Sequence, residues 1–150
     1  MPEAAGSDAD CALGFDYGTR LIGVAVGSRL GHGARAIATI GNGDWTRLDA
    51  VVAEWRPARL VVGLPLALDG GEQPMSRAAR EFARMLERRY ALGVDLVDER
   101  HTSGEAARRF AEQRSRGAAR RKDAAQVDAL AAAVILDDWL AAHARGQHPT

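Results

Sequence analysis

Three carboxylates lie at positions where a folded chain can bring them together: Asp16, Glu99 and Asp128. Asp16 lies in the apolar stretch Ala12–Tyr17, where strand alternation puts Leu13, Phe15 and Tyr17 on one face and Asp16 with Ala12 and Gly14 on the other. An acid beside two small residues leaves room above it for an ion or a close-packed helix. Glu99 closes the stretch VDLVDE, alternating with Val97 and Asp95, and carboxyl ends of strands are where open α/β sheets take ligands. Asp128 shares a helical stripe with Ile135 and Trp139, and a charge on an apolar stripe needs a partner. Each acid alone also has a plain reading, as a turn former, a solvated strand end or a charge favoured near a helix start. Together they form a hard-oxygen donor set suited to Mg²⁺ or Mn²⁺. A pair of such ions about 3.5–4 Å apart activates water and stabilises the leaving oxygen in phosphodiester cleavage.

The elements that position these acids follow from periodicity and breakers. Strands are expected at Ala12–Tyr17, Leu21–Val26, Ala34–Ile40, Leu60–Leu64 and Val94–Glu99. Gly18–Thr19–Arg20 suits a hairpin turn, and Gly41–Asn42–Gly43 a break. Helices are expected from Asp44 to Trp55, from Met75 to Tyr90 and from about Ala124 to His143, with a further one opened by the capping box Thr102-x-x-Glu105. Residues 65–74 read as a loop, and Ser115–Lys122 as a basic, polar one. The order β-β-β-α-β-α-β-α-α predicts an α/β fold: a mixed five-stranded sheet with helices on both faces.

Bulk properties narrow the function classes. The chain of 150 residues fits one domain, expected over 11–143 with flexible termini at 1–10 and 144–150. Twenty basic and twenty acidic residues cancel, so net charge does not announce a nucleic-acid partner. Locally, Arg100 to Lys122 holds eight basic residues against Glu105 and Glu112. Cys11 is the only cysteine, which excludes an intrachain disulfide. The four histidines show no zinc spacing. The first ten residues hold no apolar signal core, and no apolar run is long enough to span a membrane. A cytoplasmic setting with no membrane partner is expected.

LGFDYGTRLIGVAVG, VVGLPLALDG, VDERHTSGEA and KDAAQVDALAAAVILDDWL occur in this order. They resemble the YqgF family of RuvX-like proteins, described as nucleases of precursor 16S ribosomal RNA and formerly as Holliday junction resolvases. The resemblance covers roughly residues 12 to 140. It implies an RNase H-like fold and a metal-dependent nuclease, a hydrolase of phosphodiester bonds acting in maturation of the 5′ end of small-subunit ribosomal RNA. Carried over by motif, Asp16, Glu99 and Asp128 are the catalytic and metal-holding acids, with Mg²⁺ or Mn²⁺ in a two-metal site as cofactor. Two positions depart from the pattern: Arg20 stands where the family often has Lys, and His101 where it commonly has Leu.

Arg20, Arg100, Arg120, Arg121 and Lys122 are the expected phosphate contacts, which would make affinity salt-dependent. Aromatic residues are 5 % of the chain and none interleaves with the basic stretch, so backbone and shape recognition is expected rather than base stacking. The expected partners are structured RNA such as precursor ribosomal RNA, or branched DNA, with ribosomal particles besides; the expected state is a monomer or weak homodimer. Two other readings compete. DYGTRLIGVAV looks like the first phosphate loop of actin-type and sugar-kinase ATPases, which close two such domains on a nucleotide. A non-catalytic nucleic-acid-binding factor of ribosome assembly is the other, against which the presence of all three acids argues.

Overall fold

The computed structural model describes residues 11–28, 33–99 and 121–146, with the side chains of the last helix described over Asp128–His143. Alternating and continuous apolar runs form β1 (Cys11–Asp16), β2 (Leu21–Ser28), β3 (Arg35–Gly41), β4 (Arg59–Leu64) and β5 (Gly93–Asp98). The helices are α1 (Trp45–Trp55), α2 (Pro74–Tyr90) and α3 (Arg121–Gly146). The strands make one sheet in the order β3-β2-β1-β4-β5. β1–β2 and β2–β3 pair antiparallel, whereas β1–β4 and β4–β5 pair parallel. The mixed five-stranded sheet expected from the sequence is therefore present.

Both faces are covered, by helices of different character. On one face Leu13, Phe15, Val24 and Val62 pack with Leu48 of α1 and with Phe82 and Leu86 of α2. On the other, Ala12, Ala25, Val61 and Val97 pack with Ala132, Ala133, Ile135, Leu136 and Trp139 of α3. Small residues on the sheet meet alanines on the helix, so α3 lies close to β1 and β2. A Cβ added to Gly14 would come 2.8 Å from Cβ of Leu136. Ala132, Ala133, Val134, Ile135 and Leu136 are accordingly all buried, so this stretch of α3 is apolar on every side.

Local chemistry sets the helix limits. Asp44 caps α1 by accepting the N–H of Arg47 at 3.2 Å. Pro74 opens α2, where its missing N–H costs nothing. Ser76 is fully buried, accepts the N–H of Gln73 and donates to the carbonyl of Pro65. The expected loop 65–74 is thereby anchored as a small hairpin, bridged between Leu66 and Glu72. The basic loop expected over Ser115–Lys122 is corrected at its end, because the backbone of α3 is already helical at Arg121 and Lys122. Both residue types are good helix formers, which the charge run concealed. Thr102 and Glu105 lie outside the described residues.

α2 ends on Ala91 in the left-handed region, at φ 55 and ψ 41. A Cβ is strained there and glycine is not. Ala91→Gly should stabilise the fold by about 1 kcal/mol. The check is a higher urea midpoint at unchanged slope.

α3 is tied to the sheet by polar links as well. Trp139 Nε1 donates to Asp95 Oδ2 at 2.7 Å, while Arg59 holds the other carboxylate oxygen at 2.6 Å. The carboxylate of Asp137 accepts the N–H of Ala34 at 2.7 Å. Trp139→Phe keeps the ring and removes one charge-assisted hydrogen bond. Equilibrium unfolding should show a loss of about 1–2 kcal/mol.

Candidate active site

Asp16 is the last residue of β1 and faces α3, as alternation with Ala12 and Gly14 requires. Its cross-strand partner on β2 is Gly23. On the other side Phe15 pairs with Val62 of β4, and continuing that register sets Gly63 beside Asp16. The acid is thus flanked by two glycines on neighbouring strands. Both are glycine because the space above each is taken.

At Gly23 the space is filled by the backbone of α3. A Cβ there would lie 1.9 Å from the carbonyl oxygen of Asp128 and 2.8 Å from the nitrogen of Ala129. Gly23 therefore sets how near Asp128 comes to the sheet. At Gly63 the space is filled by Glu99 and by α3. A Cβ there would lie 2.5 Å from Oε2 of Glu99 and 2.5 Å from Cδ1 of Ile135. Glu99, just beyond the end of β5, folds back over β4 toward Asp16. Glu99 and Asp128 thus flank Asp16 across Gly63 and Gly23, near the carboxyl ends of β1, β4 and β5, and the charges of both act on Asp16.

Burial and like charge dominate the electrostatics of Asp16. Burial, then the charge of Glu99, then that of Asp128 push the Asp16 carboxyl up to about 7. Glu99 is raised by burial and by neighbouring Asp98, and Asp128 by burial. Among the described residues no Arg or Lys pairs with Asp16 or Asp128. Half-buried Asp95 and Asp49, by contrast, pair with Arg59 and Arg89. A cluster of this kind favours a proton or a cation.

Its donors are all hard carboxylate oxygens, which fits a divalent cation of the Mg²⁺ type. The fit is to an open site rather than a closed cage. Among the described residues no group of three His, Cys, Asp or Glu side chains is placed to hold an ion unaided. Mg²⁺ is commonly held by one or two carboxylates, with water and substrate phosphate completing its shell.

Arg20 is exposed in the turn between β1 and β2, at the same edge of the sheet as Asp16. Its carbonyl accepts the N–H of Asn42 at 2.9 Å, and the carbonyl of Gly18 accepts the Asn42 side chain at 2.8 Å. Both bonds hold the turn in place. The other basic residues named from the sequence fall elsewhere. Arg100 and Arg120 lie outside the described residues, as do the side chains of Arg121 and Lys122. Gly23 and Gly63 were not marked by the sequence reading. Their signal is a glycine inside an apolar strand, which marks close approach of another backbone.

A family model described as RuvX: Holliday junction resolvase matches residues 10–142. This chain belongs to the RuvX family. Its RuvX relatives include proteins of Xanthomonas campestris pv. campestris strain B100 and Xanthomonas axonopodis pv. citri strain 306. Each is 57 % identical over 147 residues, covering 95 % of either chain, and each is provisionally named a pre-16S rRNA nuclease. The fold is similar to that of Thermus thermophilus RuvC, with a TM-score of 0.54 at 16 % identity over 91 % of this chain and 96 % of that one. The same RuvC solved with a Holliday junction substrate gives 0.57 at 17 % over the same shares. The RuvX chain thus has the RNase H-like fold that the motifs implied. Among the described residues no helix is long and apolar enough to cross a membrane.

Proposed function

We propose that this chain is a metal-dependent nuclease with Asp16, Glu99 and Asp128 as its catalytic and metal-holding carboxylates. Its proposed substrate is precursor 16S ribosomal RNA, and its proposed task the maturation of the 5′ end. The observation that carries the catalytic reading is the row Gly23–Asp16–Gly63, with Asp128 over one glycine and Glu99 over the other. The names of the 57 % identical relatives support the choice of RNA.

When bound, Mg²⁺ or Mn²⁺ would supply polarisation of the phosphoryl group and activation of water. The chain's own part is placement. The backbone of Asp16 is fixed by its pairing with Gly23 and by the β1–β4 ladder that ends one residue before it, so its place is set before substrate arrives. Asp128 is held at the sheet by backbone contact at Gly23, and Glu99 by the floor that Gly63 and Ile135 make. Ile135 and Leu136 close the inner side against water. Arg20 stands where it can take a backbone phosphate beside the acids. The proposed setting is the cytoplasm.

Cleavage of branched DNA is the second reading, favoured by the description of the matching family model. Precursor 16S RNA and a four-way DNA junction incubated side by side, with Mg²⁺ or with chelator, distinguish them. Mg²⁺-dependent cleavage of the RNA and not of the junction is expected. Cleavage of the junction alone would replace the substrate, and cleavage of neither would remove the nuclease reading.

A further inference from the structure

The sheet separates the acid row from a second feature at the same edge. Tyr17 follows Asp16 and faces the opposite way, as Ile22 does beside Gly23. Both line a cavity of about 240 Å³ between the start of α1 and the middle of α2. Its walls are aromatic: Tyr17 and Trp45 lie 4.9 and 6.0 Å from Phe82, both rings tilted to it. Leu48 closes the bottom, and Ala78 and Met85 form the α2 side.

We infer that this cavity receives a single unpaired base of the nucleic-acid substrate, next to the nucleotide whose phosphate lies at the acid row. The inference rests on the nuclease reading for the kind of chain that is bound. Three observations select a base. The volume lies below the roughly 300 Å³ at which pockets for larger ligands begin. The half-buried rings of Tyr17 and Trp45 line it, and any base stacks on an aromatic ring. The rim carries Glu81 and Asp44, which repel a phosphate but accept hydrogen bonds from base amino groups.

Continuity fixes which chain supplies that base. Among the described residues, the β1–β2 turn with exposed Arg20 in it follows directly on Asp16 and Tyr17, at the edge of the sheet that the acid row and the cavity share. Asn42 at the cavity rim holds that turn through Gly18 and Arg20. A strand crossing the turn would set one phosphate at the acids, the next near Arg20 and its base in the cavity. Base stacking, which the basic stretch gave no reason to expect, thus enters through residues scattered from Tyr17 to Phe82.

The test reads binding in the Asp16→Asn background, where cleavage does not interfere. A fluorescent single-stranded RNA is scanned with one abasic nucleotide moved along it, and affinity is measured by anisotropy. One position should weaken binding about tenfold, the scale of one lost stacking contact. Ala78→Leu, which fills the cavity with a good helix former, should weaken binding to the intact RNA by a similar factor and erase the abasic effect. Trp45→Ala should do the same, and circular dichroism of both variants checks the fold. A flat scan, no RNA binding, or an Ala78→Leu variant that keeps the abasic effect would overturn the proposal; a cavity built for a protein side chain would give the flat scan. Wild-type cleavage with a flat scan removes the cavity and keeps the nuclease. An abasic effect without wild-type cleavage removes the nuclease and keeps the cavity.

Discussion

Asp16→Asn should abolish cleavage and, without divalent cations, make the protein more stable. Both effects come from the same carboxylate. Loss of the central donor should lower the rate at least about 10³-fold, which corresponds to about 4 kcal/mol of transition-state stabilisation. The stability effect follows from proton linkage. The Asp16 carboxyl is raised from an ordinary 3.8 to about 7 in the fold, so between those values the folded state binds more protons than the unfolded one. Stability from this group is therefore lost as pH rises from about 4 to about 7, and the full penalty stands above that. At pH 8 in chelator, Asn should relieve that penalty, at most about 4 kcal/mol by the linkage relation. At pH 3.5 the two proteins should unfold almost alike. Equilibrium unfolding at both pH values, beside a cleavage assay, measures all of this. A variant that cleaves at the wild-type rate, or whose gain in stability over wild type is no larger at pH 8 than at pH 3.5, would remove Asp16 from the centre of the site.

Gly23→Ala carries the second large effect, and it contains no change of charge. The added methyl would fall 1.9 Å from the Asp128 carbonyl oxygen, and the nearest atoms are all backbone of α3. No side chain can rotate aside, so the helix must lift or the sheet must bend. Overpacking of this kind costs about 1–3 kcal/mol. It also displaces Asp128 relative to Asp16, and misplacement by about 1 Å lowers a rate by about 10²-fold. Gly41→Ala is the matching control for stability, since a Cβ at Gly41 meets nothing within 4 Å. That variant should unfold within about 0.5 kcal/mol of wild type. Gly23→Ala with unchanged unfolding and unchanged cleavage would show that α3 does not rest on this glycine.

Asp16 and Glu99 stand out in the sequence mainly through the motifs that hold them, and Asp128 also through its helical stripe. Alternation along β1 put Asp16 with Ala12 and Gly14, and all three face α3. On the stripe of Asp128, Ile135 and Trp139 are 1 % and 6 % exposed, while Asp128 itself is half-buried. Glu99 was read from a strand end, and the chain does turn there to fold back over Gly63. The glycines that seat these acids were not legible, because their meaning lies in strand pairing. Gly63 adjoins Asp16 only because β4 inserts beside β1, and periodicity carries no information about sheet order. The aromatic cavity was hidden for the same reason: Tyr17, Trp45 and Phe82 belong to three elements that meet only in the fold. The basic run is conspicuous by contrast, since a charge run is visible in one dimension and a pocket is not.

The proposal that the three carboxylates form one divalent-cation site is tested most directly by thermal unfolding with Mn²⁺ or with chelator. Wild type should be stabilised by Mn²⁺, by about 2.7 kcal/mol at a hundredfold excess over the dissociation constant. Asp16→Asn, Glu99→Gln and Asp128→Asn should each lose most of that gain. Wild type indifferent to millimolar Mn²⁺, or any one of the three variants stabilised as fully as wild type, would contradict the shared site.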